Sequence, residues 1–451
     1  MRFIVKGNRP LHGEVTVSGS KNAALPIMAA SLLTDEEVTL TNVPDIQDVR
    51  KLLEIMKHLG SEFDFSNNVL RIQTKMIKTT EIPLDMVKTM RASILLVGPM
   101  LARAKQITIG YPGGCVLGKR PVDTHLDAFR ALGVRIREEG NFIHFESNKA
   151  QAGKVVLKEI SVTATENIIT FAASLPGESE IRLAAQEPHV QDLCKFLVSS
   201  GTFIDGIGTH VVNIKGGSNI HGTDHRVVSD YLEVGTMAIA AAATQGDIII
   251  NDAREHDLDA VWQKLSEAGV VLDFLEGNKI RVRGVKQLEP IAKIDTGIFP
   301  KFPTDLQAPF MVLMTQAHGV SKVFETLFEG RLNYLFELEK MGARFEFLNP
   351  HQALVIGSTP LRGAPIASCD IRAGAGMIVA ALMAEGTTEV SSINYIDRGY
   401  ERLDEKLRAM GANIVRCQTE EDLNPSPPRS LSDFPEVPKQ PALVPDVEVK
   451  I

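Results

Sequence analysis

Six glycines, Gly60, Gly133, Gly201, Gly269, Gly342 and Gly411, follow one another at intervals of 68 to 73 residues. Each stands just past a segment whose apolar residues recur at helical spacing. In the first such segment these are Val49, Leu52, Leu53, Ile55, Met56 and Leu59. A glycine there supplies the left-handed conformation that ends a helix without a Cβ penalty. Spacing this regular makes the chain a string of six units, each of roughly 70 residues.

Each unit also carries an earlier helical segment that is apolar nearly all round and rich in small residues. Asn22 to Leu33, Ala92 to Ala104, Val234 to Ala243 and Ala373 to Ala384 are examples, and helices of this kind belong inside a domain. A strand such as Val38–Thr41 or Ile107–Ile109 separates the two helices. A hairpin follows the second helix: Val134 to Arg137, a turn over Glu138 to Asn141, then Phe142 to Phe145. The sixth unit breaks off at Ile414-Val415-Arg416, and Phe3 to Gly7 offers the missing strand. These features predict an α/β fold of two lobes, each of three units with apolar helices inside and sheets outside. Residues 21–229 form one lobe; residues 1–20 with 230–417 form the other. An open six-unit solenoid would leave its terminal repeats uncapped. Residues 418–451 carry seven prolines and little periodicity, which predicts a disordered tail or a partner-binding peptide.

The net charge of −8 argues against a nucleic-acid binder and against attraction to anionic membranes. Cys115, Cys194, Cys369 and Cys417 are scattered without CxxC pairs, which speaks against a zinc site or a disulfide framework. Met1 leads directly into strand-like Arg2–Val5, and Gly374 to Ala384 is too short to span a bilayer, so the cytoplasm is expected.

Against this acidic background, cations at defined places point to an anionic small substrate. Ser18-Gly19-Ser20-Lys21-Asn22 precedes a buried helix at the first crossing between lobes, where backbone N–H groups and Lys21 make an anion seat or a simple helix cap. Arg91, Asp305 and Arg372 hold equivalent helix starts in the second, fifth and sixth units, and Arg398 precedes the last amphipathic helix. Singly, each arginine also fits a surface ion pair. Together, pseudo-symmetry directs these ends to one place. The glycine-rich stretch Tyr111 to His125 sets Cys115 beside Lys119 and Arg120, cations that favour a thiolate.

Five motifs, SGSKNAALP (18–26), KTMRAS (88–93), PGGCVLGKRPVD (112–123), FPTDLQ (302–307) and DRGYER (397–402), resemble the UDP-N-acetylglucosamine 1-carboxyvinyltransferases in order and relative spacing. The resemblance covers residues 1 to about 416. It implies two inverse α/β lobes and the first committed step of peptidoglycan synthesis, with phosphoenolpyruvate and the nucleotide sugar as substrates. It implies no metal and no cofactor. By the same resemblance, Asp305 receives the proton of the sugar hydroxyl. Cys115 protonates C3 of phosphoenolpyruvate or captures it as a thiol adduct. Lys21, Asn22, Arg120, Arg372 and Arg398 bind phosphoenolpyruvate. Arg91, Arg120, Pro121, Val122, Asp123, Thr124, Ser161, Val162, Asp305 and Leu327 bind the nucleotide sugar.

The family pattern is broken at Thr124, Thr163, Tyr231 and Gly330 to Asn333, all flanking the nucleotide-sugar pocket. Three other readings stand beside this one, of which a Cys/His acyl-transfer enzyme using Cys115 and His125 shows no sign of an oriented base or oxyanion loop. A 5-enolpyruvylshikimate-3-phosphate synthase shares the six units but lacks this cysteine loop. A non-catalytic nucleotide-sugar binder would need neither Cys115 nor Asp305.

Overall fold

The computed structural model describes residues 1–88, 90–113, 122–217 and 219–418. All six marker glycines are left-handed, with φ from +84° to +117°. At Gly60 the N–H groups of Gly60 and Ser61 turn back onto the carbonyls of Met56 and Lys57, closing the helix Gln47–Leu59. Its counterparts are Asp123–Ala131, Pro188–Ser199, Asp259–Glu267, Leu335–Lys340 and Leu403–Ala409.

The buried helices are Lys21–Ala30, Val97–Ala104, Val162–Ala172, Tyr231–Ala243, Thr304–Met314 and Ile371–Met383. Every residue of Tyr231–Ala243 is buried. Small residues permit such packing: a Cβ on Gly376 would stand 3.2 Å from the carbonyl carbon of Ala308 on the neighbouring helix. The second of these helices differs from the expected Ala92 to Ala104. A 3₁₀ segment, Arg91–Leu96, precedes the α-helix. Asn167 inserts its amide here, accepting from the Gly98 N–H at 2.7 Å and donating to the Ile94 carbonyl at 2.6 Å. Pro99 has no N–H to offer, so the ladder restarts. The hairpin turn is also tighter than expected: strands Arg135–Glu139 and Phe142–Glu146 leave only Gly140 and Asn141 between them, with Gly140 at φ +58°.

The described residues form six four-stranded sheets. In each, an edge strand lies parallel to the unit's first strand and two further strands continue antiparallel. Asp224–Arg226 returns from the third unit to pair with Thr39–Thr41, and His12–Thr16 pairs with Asp247–Asn251. Arg2–Lys6 is the inner strand of the sixth sheet, with Phe3 between Val390 and Arg416. Two hydrophobic cores result. One gathers side chains from Ala23 to Val227; the other joins Phe3 to Val17 with Tyr231 to Ile414. The two chain passes between them are bonded together, Ser20 N–H to Val228 O at 2.7 Å and Asp230 N–H to Ser18 O at 2.9 Å. No helix among the described residues is long and apolar enough to cross a membrane.

At the first pass a Cβ on Gly19 would stand 1.7 Å from the Asn42 carbonyl oxygen. Gly19→Ala is expected to cost about 1–3 kcal/mol of stability, read as a lower denaturant midpoint. His125 is buried in the first core, with Nδ1 accepting from Asn167 Nδ2 at 3.3 Å and Nε2 facing Thr163 Oγ1 at 3.0 Å. Burial, and secondarily the charge of Arg91, lower its pKa to about 3. A depressed folded-state pKa gives stability that is complete above the unfolded value of 6.5 and lost as pH falls toward about 3. His125→Gln should therefore flatten the decline in unfolding free energy between pH 6.5 and 4.5, by up to about 1.4 kcal/mol per pH unit. Chemical denaturation across that range measures the slope.

Candidate active site

Where the two cores face each other lies a cavity of about 620 Å³ lined from both sides. The starts of all six buried helical segments open onto it: Lys21 and Asn22, Arg91, Ser161 and Val162, Tyr231, Thr304 and Asp305, and Ile371 and Arg372. Helix N-termini present unpaired N–H groups and the positive end of the peptide dipoles, so their convergence favours anions. Three starts are closed by side chains. Ser20 accepts from Ala23 N–H, Asp230 from Leu232 N–H, and Asp370 from the N–H groups of Arg372 and Ala373. The starts preceded by Met90, Ser161 and Pro303 have no side-chain cap.

Fixed charges reinforce this field. Asp48 joins the lobes, accepting from Arg398 Nε at 2.9 Å and lying 3.4 Å from Lys21 Nζ. Burial lowers the pKa of Lys21, Asp48 opposes the fall, and Arg372 and Arg398 add to it. Asp305 is gripped on both oxygens, by Arg331 Nη2 at 2.7 Å and Arg372 Nε at 3.1 Å. Burial alone would raise its pKa. Arg331, Arg372 and Lys21 outweigh burial and hold the carboxyl well below the usual range, so it is ionised. The Arg372 guanidinium lies 5.1 Å from the Tyr400 ring centre, and its Nη1 has no hydrogen-bond partner among the described residues. That donor is buried and remains to be satisfied.

Of the residues singled out from sequence, Lys21, Asn22, Arg91, Ser161, Val162, Asp305, Leu327, Arg372 and Arg398 line this cavity. Val122, Asp123 and Thr124 begin the helix Asp123–Ala131 and are not among its lining residues. Thr124 Oγ1 donates to Glu159, which is. Cys115, Arg120 and Pro121 lie outside the described residues. Thr163 and Tyr231, where the family pattern breaks, are in the lining. The sequence reading gave no role to Asp48, and it marked the segment Gly330 to Asn333 without assigning Arg331 one. Asp48 carries a signal: it is 4 % exposed on the apolar face shared with Leu52, Ile55 and Leu59, and a charge in that row calls for a partner. Arg331 lies in an irregular segment with no periodicity to mark it.

The family model for EPSP synthase (3-phosphoshikimate 1-carboxyvinyltransferase) matches residues 5–407. A UDP-N-acetylglucosamine 1-carboxyvinyltransferase of Methylacidiphilum infernorum is 41% identical, over 92% of this chain and 98% of its own. UDP-N-acetylglucosamine 1-carboxyvinyltransferase 2 of Carboxydothermus hydrogenoformans is 42% identical, over 92% of this chain and 99% of its own. Among solved structures, the enolpyruvyl transferase NikO of Streptomyces tendae superposes with a TM-score of 0.83 at 22% identity, covering 92% of this chain and 98% of its own. EPSP synthase of Acinetobacter baumannii gives a TM-score of 0.72 at 17% identity, covering 92% and 100%. The structural likenesses carry the two-lobed fold, and the sequence matches carry the kinship. The chain belongs to the EPSP synthase family and, within it, to the UDP-N-acetylglucosamine 1-carboxyvinyltransferases.

Proposed function

We propose that the protein transfers the enolpyruvyl group of phosphoenolpyruvate to the 3-hydroxyl of UDP-N-acetylglucosamine, releasing phosphate. This is the first committed step of peptidoglycan synthesis, and it takes place in the cytoplasm. The observation that carries this reading is one cavity, shared by both lobes, in which Lys21, Asp305, Arg372 and Arg398 meet. The near full-length relatives of that name support the choice of acceptor. Residues 21–229 act as one lobe, and residues 1–20 with 230–417 as the other.

Phosphoenolpyruvate brings a phosphate and a carboxylate, and Lys21, Arg398 and Arg372 offer charge-assisted donors to both, joined by Arg120 and Asn22. An incoming phosphate competes with Asp48 for Lys21 and Arg398, so binding exchanges one anion for another instead of burying new charge. The sugar oxygen then bonds to C2 of phosphoenolpyruvate while C3 gains a proton from the Cys115 thiol. Asp305 takes the hydroxyl proton. Loss of a proton from C3 with cleavage of the C2–O bond to phosphate leaves the enolpyruvyl ether. Alternatively the Cys115 sulfur bonds to C2 while the thiol proton passes to C3, holding phosphoenolpyruvate as a thiol adduct. Arg91, Ser161, Val162 and Leu327, with Pro121 to Thr124, hold the nucleotide sugar.

As it stands between two arginines, the Asp305 carboxylate is a weak base. Once substrate anions draw on Arg372, that grip loosens and its basicity rises toward what proton transfer needs.

Phosphate release is expected with phosphoenolpyruvate plus UDP-N-acetylglucosamine and absent with shikimate 3-phosphate; the reverse preference would refute the reading. Asp305→Ala should lower kcat by about 10²–10⁴-fold, the span of general-base catalysis. Wild-type turnover by that variant removes Asp305 from the chemistry. The epoxide fosfomycin should alkylate Cys115, read by mass spectrometry as one adduct that parallels loss of activity. Full activity after prolonged exposure would contradict the thiol's role.

A further inference from the structure

A second set of buried polar side chains lines the same cavity. Glu166 comes from the helix Val162–Ala172; Glu187 and His189 come from the start of Pro188–Ser199. They are 2 %, 9 % and 3 % exposed. Glu166 Oε1, Glu187 Oε2 and His189 Nδ1 have no hydrogen-bond partner among the described residues. Leaving buried polar atoms unsatisfied costs stability, and these three belong to residues that line one cavity.

Their chemistry is that of acceptors. Burial raises the carboxyl of Glu166 well above its usual range, with Glu187 adding to the effect. Burial also raises Glu187, against backbone N–H groups that include that of Phe299 from the other lobe. Burial lowers the pKa of His189 to about 4, so its ring is neutral at pH 7. None of the three is a fixed cation that would hold a phosphate, and their unpartnered oxygens and ring nitrogen suit a ligand face bearing O–H or N–H donors. Tyr231 stacks on His189 with ring centres 6.2 Å apart and planes 14° off parallel, which fixes the imidazole. The charges of Asp305 and Arg372 reach His189, and those of Asp305 and Glu187 reach Tyr231, so the wall adjoins the carboxylate assigned as base. Among the described residues no group of three His, Cys, Asp or Glu is arranged to hold a metal ion.

We infer that Glu166, Glu187 and His189 form a specificity wall for the acceptor, taking hydrogen bonds from donors on the sugar ring next to the reacting hydroxyl. The inference rests on the enolpyruvyl-transfer reading and adds which face of the acceptor is read. Thr163 and Tyr231, two of the departures from the family pattern, line the same cavity.

The test uses the full chain, phosphoenolpyruvate, and three acceptors. These are UDP-N-acetylglucosamine, its 4-deoxy analogue and its analogue lacking the 2-acetamido group. The wild type should lose about tenfold or more in kcat/KM for at least one analogue, the scale of one buried hydrogen bond. In Glu166→Leu and in Glu187→Gln that discrimination should shrink to about twofold or less, as expected once a partner of the hydrogen bond is removed. The KM for UDP-N-acetylglucosamine should rise while the KM for phosphoenolpyruvate stays put. Glu166→Leu should also raise the thermal midpoint, because it removes a buried carboxyl whose Oε1 has no partner among the described residues. Unchanged discrimination, or equal rises in both KM values, would overturn the wall while leaving the transfer reading intact. A lower thermal midpoint with unmoved KM values would show a purely structural role and overturn it too. Absence of wild-type turnover with UDP-N-acetylglucosamine would remove both readings.

Discussion

Six helix starts aimed at one cavity are the constraint on which the rest of the molecule depends. Each helix brings the equivalent of about half a positive charge at its N-terminus, and Lys21, Arg91, Arg372 and Arg398 add whole charges. Such a concentration of one sign would repel itself in a low-dielectric interior without counter-charges. Asp48, Asp305, Asp230 and Asp370 supply them, two by bridging cations and two by capping helices. The sheets, the closing N-terminal strands and the left-handed glycines serve to hold these helix starts in register.

The same balance explains why Asp305 is both ionised and restrained. Burial pushes its carboxyl toward the neutral form, and two arginines and a lysine pull harder the other way. A group held by opposing influences of this size responds strongly when one is withdrawn. On the proposed function, substrate anions competing for the same arginines would withdraw it. Asp48 plays a parallel part across the lobes: its bond to Arg398 ties the first lobe to the second. At the crossing, Lys406 is bonded to Glu233 and to Ser18, and Ser18 to Glu401, so the passes between lobes are also fixed by side chains.

Much of the architecture is legible in the sequence because it is repeated. Gly60 and its five counterparts, the small-residue helices and the hairpins recur often enough for chance to be set aside. The charged helix starts at Lys21, Arg91, Asp305 and Arg372 are legible for the same reason. What escapes is whatever a single unit decides through distant partners. The 3₁₀ start at Arg91–Leu96 depends on Asn167, about seventy residues further on. The parallel edge strands, such as Glu81–Ile82 and Ile294–Asp295, are too short to show alternation. Arg331 joins Asp305 from a segment without period, and the unsatisfied atoms of Glu166, Glu187 and His189 are defined only by what surrounds them.

The most direct test is a crystal structure of the protein with phosphoenolpyruvate and UDP-N-acetylglucosamine. The account predicts the phosphate within hydrogen-bond distance of Lys21 and Arg398, the carboxylate on Arg372, and the sugar 3-hydroxyl beside Asp305. Substrates seated outside the cavity between the lobes, or a 3-hydroxyl turned away from Asp305, would contradict it.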